Sequence, residues 1–90
     1  MSIWDNIQST GSNKRAGVAT LSGGTVTISN TSIATSDNVM ISINGASTTI
    51  ANQGIIYEDK PNRIANTSFT IKSTNVLDNC TVAWQIIGTY

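Results

Sequence analysis

From Ala16 to Ile87 the chain sets apolar side chains at every second position, and no ten-residue stretch carries the three-to-four spacing of a helical stripe. Thr25-Val26-Thr27-Ile28-Ser29 sends Val26 and Ile28 to one face and the hydroxyls to the other. Val39, Ile41 and Ile43 repeat the alternation, as do Phe69 with Ile71, and Val82 with Trp84 and Ile86, while Ala83 and Ile87 fall on the opposite face of that last strand. The residues that alternate are mostly branched at Cβ: the chain has 13 Ile and 5 Val against 2 Leu. Branching stiffens the first side-chain torsion and suits a pleated sheet better than a helix. The sequence therefore predicts an all-β protein.

Punctuation between the alternating runs divides the chain further. Gly23-Gly24 predicts a turn joining 16–22 to 25–29 as a hairpin-like pair, and residues 30–37 read as a polar connection. Asn44-Gly45 is a strong turn dipeptide, because both residues tolerate positive φ. Residues 48–51 then read as a short strand, 54–57 as a fuller one, 58–62 as the one charged loop, and 63–65 as a short edge strand. The count comes to about seven or eight short strands with turn signals at the spacing of a sandwich, jelly roll or small barrel. Ahead of them, residues 1–15 form a separate N-terminal arm whose tip holds Ile3, Trp4 and Ile7, followed by a polar stretch through Lys14. Either that tip docks elsewhere or Trp4 and Ile7 fold back on the same core.

Ninety residues make one domain, here residues 16–90, and a domain of this length buries only a little over about 60% of its unfolded surface. One Phe and two Trp must fill its middle, and the single cysteine, Cys80, cannot form an internal disulfide. Burial between identical copies is the remaining source of stability, and it also covers open strand edges. A homo-oligomer is expected, with Ile55, Ile56, Ala83 and Ile87 as contact positions. Net charge points the same way: five basic residues balance five acidic ones, and a chain near neutrality is prone to associate.

Charge also limits the partners. With 11% charged residues and Lys14-Arg15 as the one adjacent basic pair, neither nucleic acid nor an anionic membrane surface is an expected partner. No stretch has the length of a membrane span or the layout of a secretory signal, so a chain made in a cytoplasm that does not enter the membrane is expected. There is no His for proton transfer or zinc ligation. Glu58-Asp59 resembles a carboxylate pair, but neighbours in an extended segment point apart, so a solvated turn is expected there. Asp78 reads as a turn residue bonding to its own backbone, and Cys80 as a small buried apolar residue. The acidic residues are too scattered for a cation, so no metal, cofactor or catalytic residue is expected. The Asn-x-Ser/Thr triplets at Asn30, Asn66 and Asn79 are no more than this Ser- and Thr-rich composition supplies by chance. Tyr57 and Tyr90 are the aromatic candidates for a sugar platform.

Two segments carry a resemblance. Ala16–Ile28 (AGVATLSGGTVTI) resembles the G-x-A-x-L-x-x-G-T-V-T-V opening of small β-sandwich modules in tailed-phage virion proteins of the head-fibre, decoration and tail-fibre knob type. Thr67–Ile87 (TSFTIKSTNVLDNCTVAWQII) is similar to the T-S-F-T-I-x-S-T-x-x-x-D-x-x-x-V-x-W-x-I ending of the same modules. The two together span about a third to two fifths of the chain, in the right order. The resemblance implies a jelly-roll-like antiparallel sandwich, commonly a trimer, with Phe69, Ile71, Val82 and Trp84 in the core. It implies a virion component more than a task, since such motifs mark strands and turns. The functional expectation is a non-enzymatic structural protein that decorates or cements the capsid, with Ile3, Trp4 and Ile7 docked on the major capsid protein. The alternative is a tail-fibre or spike knob that binds a host receptor such as a glycan.

Overall fold

The computed structural model describes residues 11–87, which form two antiparallel three-stranded sheets packed face to face. The strands are β1 (Ala16–Thr20), β2 (Thr25–Ser29), β3 (Asn38–Gly45), β4 (Ile56–Glu58), β5 (Ser68–Ser73) and β6 (Thr81–Ile87). One sheet has the order β1-β6-β3 and the other β2-β5-β4. Only the β4–β5 connection stays within a sheet; every other connection crosses from one layer to the other. The expected all-β sandwich is thus the fold observed.

Alternation sets which side chains meet between the layers. On β6, Val82, Trp84 and Ile86 turn inward, each paired across the sheet with inward residues of β1 or β3; Trp84 lies between Gly17 and Ile41. From the facing sheet Phe69 and Ile71 turn in beside Ile28 and Val26. Phe69 meets Trp84 edge to face, with ring centroids 5.1 Å apart and an interplanar angle of 77°. Such a pair contributes about 0.5–1.5 kcal/mol beyond its buried area. Leu21, Ile33 and Cys80 complete the buried cluster, and Ala19, Val26, Val39, Ile41 and Ile56 pack around it. All four core residues that the resemblance implied are buried.

Several local expectations are corrected. The hairpin-like pair of β1 and β2 has a single rung, Ser22 with Thr25, around Gly23 and Gly24 at φ 65° and 77°. Beyond it Leu21 turns into the core, and the strands part to pair with β6 and β5 respectively. Asn44-Gly45 makes no turn: β3 runs through both residues along β6 and absorbs them as a bulge, a register shift between Ile43 and Gly45. Ile43 stands on the inward register yet is exposed, because β3 there passes the end of the core. The strand expected at 48–51 is replaced by a 3-10 turn, Ile50–Asn52, and the edge strand at 63–65 reduces to one bridge between Ile64 and Ser68. The polar connection 30–37 hides Ile33 completely and buries Asn30 and Asp37 with it.

Candidate functional site

The two outer faces of the sandwich differ in chemistry. On the β2-β5-β4 sheet the outward residues are Thr25, Thr27, Ser29, Ser68, Thr70, Lys72 and Tyr57, a surface of hydroxyls with one ammonium and one exposed aromatic. Thr27 and Thr70 hydroxyls lie 3.2 Å apart across the strands, and Lys72 Nζ reaches Asp59 Oδ2 at 3.1 Å. This face suits water.

The opposite face carries fewer hydroxyls, among them Thr20 and Thr81, 3.2 Å apart at one edge, and no charge. Strands β1, β6 and β3 contain no charged residue at all. In register across them lie Ala16, Gln85 and Met40, then Val18, Ala83 and Ser42. Val18 and Met40 are exposed on the flanking strands while Ala83 is short on the central one, so the face is concave. The result is a shallow groove of about 480 Å³ lined by residues 16–18, 40–42 and 83–85. Ile87 extends the apolar row beside Asn38. Of the four expected contact positions, Ala83 and Ile87 lie on this face. Ile56 is turned inward and packs against the core, and Ile55 stands exposed on the β3–β4 connection. Ile3, Trp4 and Ile7, the expected docking arm, lie outside the described residues.

The two ends of the sandwich also differ, and each is fastened by a buried polar residue. At one end meet the β1–β2, β3–β4 and β5–β6 connections. Asp78, fully buried, takes its carboxylate Oδ2 to the Ser73 hydroxyl (2.7 Å), the Gly54 amide (2.9 Å) and the Gln53 side chain (3.1 Å), and its Oδ1 to the Cys80 amide (2.9 Å). Its main-chain oxygen accepts from Gly24. Asp78 therefore caps its own backbone as expected, and in addition ties three connections together. Burial alone would raise its carboxyl, but the Ser73 hydroxyl and the Gly54 and Cys80 amides outweigh that and hold it below the ordinary 3.8. Burial pushes the neighbouring Cys80 thiol up, which leaves it inert.

At the other end Arg63 does the equivalent work. Its guanidinium donates to both carboxylate oxygens of Glu58 and to the carbonyls of Ala34 (2.9 Å), Thr35 (3.2 Å) and Asp37 (2.7 Å). Glu58 and Arg63 side chains are 9% and 2% exposed, so the expected solvated turn is corrected at Glu58 to a buried bidentate ion pair. Asn30 joins the same end to the start of the chain: its Nδ2 donates to the Lys14 carbonyl and its Oδ1 accepts from the Ser32 amide and hydroxyl. Thr31 donates to the Ser12 carbonyl, Ile86 to that of Arg15, and Lys14 Nζ lies 5.8 Å from the centre of a Trp84 ring. Both Glu58 and Asp59 are thus engaged by cations, and among the described residues no three His, Cys, Asp or Glu side chains gather as a metal site. Sequence reasoning missed Arg63, which reaches carbonyls 26 to 29 positions away, and Asn30, which reaches one 16 positions away.

A small antiparallel β-sandwich, with locked polar ends and one uncharged apolar sheet face, is the class that fold and site define. Residues 13–87 match the family model of the K1 capsule-specific polysaccharide lyase, C-terminal domain, and the chain belongs to that family. The match agrees with the resemblance as far as a phage-associated β-rich module. No curated protein matches the chain.

Proposed function

We propose that this chain is a non-catalytic virion module that self-associates through the outer face of the β1-β6-β3 sheet, as a trimer, within a tail-spike or tail-fibre assembly. The carrying observation is the contrast between the two outer faces: one is covered with hydroxyls and carries Lys72, while the other has no charge and presents Val18, Met40, Ala83 and Ile87 among the uncharged polar Gln85, Ser42, Thr20 and Thr81. A groove with a small central residue and larger flanks accepts the flanking side chains of a second copy, and burying it exacts no charge desolvation. Ala83 and Ile87 are contact residues in this reading. The family supports a spike setting, since its name attaches the domain to the C-terminal part of a polysaccharide lyase. It also gives the glycan-receptor alternative a reason, with Tyr57 as the exposed aromatic.

Sedimentation velocity tests the association. The native chain is expected to sediment as a trimer at micromolar concentration, and Ala83→Lys to sediment as a folded monomer. A native chain that stays monomeric, or an Ala83→Lys chain that remains trimeric, overturns the proposal. Copy number per particle separates the settings: a capsid-decorating protein docked through Ile3, Trp4 and Ile7 recurs across the whole shell, whereas a spike module follows the fewer tail appendages.

A further inference from the structure

Main-chain bonds on either side of β1 fix the direction in which each of its peptide groups points. Just before the strand the Ile86 amide donates to the Arg15 carbonyl (2.8 Å), and just after it the Leu21 amide donates to the Cys80 carbonyl (2.9 Å). Peptide groups alternate along a strand, so Gly17 and Ala19 share the direction of Arg15 and Leu21, toward β6. Ala16, Val18 and Thr20 therefore aim their amides and carbonyls the other way, off the side of the sheet. β1 is an outer strand, and no strand of the described residues lies on that side of it. The edge is open: Val18 is 59% exposed, and Ala19, though it points inward, is only half-buried.

Open edges normally carry a device that refuses a further strand, such as a charge, a proline or a bulge. β1 reads Ala-Gly-Val-Ala-Thr and pairs with β6 in unbroken register, so it has none of them. The other outer strands are better guarded. β3 carries the bulge between Ile43 and Gly45, and β4 is three residues long and ends in Glu58. On β2, Ser22 already takes both main-chain groups of Thr25.

From this arrangement we propose that β1 receives the chain's own N-terminal segment, with residues 5–9 added to it as an antiparallel outer strand. The row of alternating amides and carbonyls selects an extended backbone as the occupant, because only another strand repeats that spacing. The turn in front of β1 selects this particular segment. There the Lys14 amide donates to the Gly11 carbonyl (3.4 Å), closing a four-residue turn, and Gly11 takes φ 85°. Lys14 is two residues from Ala16, so its amide points off the same side as those of Ala16, Val18 and Thr20. Gly11 is thereby placed at the head of the open edge. The turn also sets the register: Gly11 opposite Lys14 puts Ser9 beside Ala16, Ile7 beside Val18 and Asp5 beside Thr20. Five residues at about 3.4 Å each cover β1 from end to end. A tether this short gives the segment an effective concentration of about millimolar, ahead of any free chain. Ile7 then lies on the outer face against Val18 and widens the uncharged surface that holds Ala83.

Amide hydrogen exchange, read residue by residue on the full chain, is the test. Gly17 and Ala19 amides are bonded to β6 and report that the sheet is folded. Ala16, Val18 and Thr20 amides are expected to exchange at least about tenfold more slowly in the full chain than in a chain lacking residues 1–10, while Gly17 and Ala19 stay protected in both. The same pattern is expected in Ala83→Lys, since the added strand does not depend on self-association; its loss there assigns the protection to contact between copies and overturns the proposal. A cross-link identifies the occupant. Ile7→Cys combined with Val18→Cys should oxidise to a disulfide within one chain, the two Cα atoms lying about 5.5 Å apart. Asn6→Cys combined with Val18→Cys, on opposite faces, should remain reduced, and Cys80 is buried away from both. Fast exchange at Val18 and Thr20 in the full chain overturns the proposal. So does protection that survives the deletion, and so does a disulfide that joins two chains, which is the outcome if a second copy supplies the strand.

Discussion

Arg63 is the residue on which the charged end turns. Its planar fork meets Glu58 with two nitrogens and spends the third on the carbonyls of Ala34, Thr35 and Asp37. Removing it strands a buried carboxylate and buried carbonyls together, so Arg63→Met should cost about 3–5 kcal/mol, read from the urea midpoint. Arg63→Lys should recover little, because an ammonium cannot hold a bidentate pair and reach the 34–37 segment as well. Asp78 makes a pH-dependent contribution. Its folded carboxyl lies below the ordinary 3.8, so the stability it supplies is complete above that value and fades as the pH falls through the folded one. Asp59 is held low in the same sense by its Asn62 hydrogen bond and by Lys72. Acid titration of unfolding should show native stability falling below about pH 4, and Asp78→Asn should flatten that fall while lowering stability at neutral pH. Period two is enough to read Phe69, Ile71, Val82 and Trp84 as core from the sequence. Asn30 and Arg63 are illegible there, and of Asp78 only the bond to its own backbone is readable, since a residue type does not announce that it will be buried, and the partners lie up to 29 positions away.

Strands were easier to read than their pairing. The alternation marks β2, β5 and β6 almost to the residue, but a Gly-Gly turn suggests a hairpin, and the chain keeps only one rung before dividing between the layers. Asn44-Gly45 misleads for the same reason: a dipeptide speaks for local conformation, while the ladder with β6 and the bulge it permits are decided by distant residues. Gly17 shows the reverse, a position whose need for glycine is created entirely by tertiary packing. A Cβ there would stand 2.8 Å from the Trp84 indole. Gly17→Ala should push the ring off Phe69, cost about 1–3 kcal/mol and weaken the near-ultraviolet tryptophan dichroism. The segment before β1 behaves as part of the sheet's framework, since Ser12, Lys14 and Arg15 carbonyls accept from Thr31, Asn30 and Ile86. Deleting residues 1–14 should lower the melting temperature below that of a chain lacking only 1–10, because buried Asn30 then loses its acceptor.

As a body, the sandwich sorts its surface into regions with separate chemistry: a hydroxyl face, an uncharged sheet face, an end rich in ions and an end whose carboxylate, Asp78, is buried. Formal neutrality at the level of composition conceals this, and no count of residues could have revealed it. If copies meet through the apolar face, their affinity should be unaffected by sodium chloride, which screens charges that are not there, and strengthened by sulfate, which is excluded from apolar surface. Equilibrium sedimentation across the two salts reads both. The strand order bears on how the molecule comes into being. β6 is the middle strand of its sheet, and both of its neighbours precede it in the sequence. On the ribosome, β1 and β3 lack the strand that joins them until residues 81–87 have emerged, so folding waits for translation of the final strand. A product cut short before it has half a sandwich with nothing to close it, which means that an unfinished chain offers no native-like surface by which it could be built into an assembly.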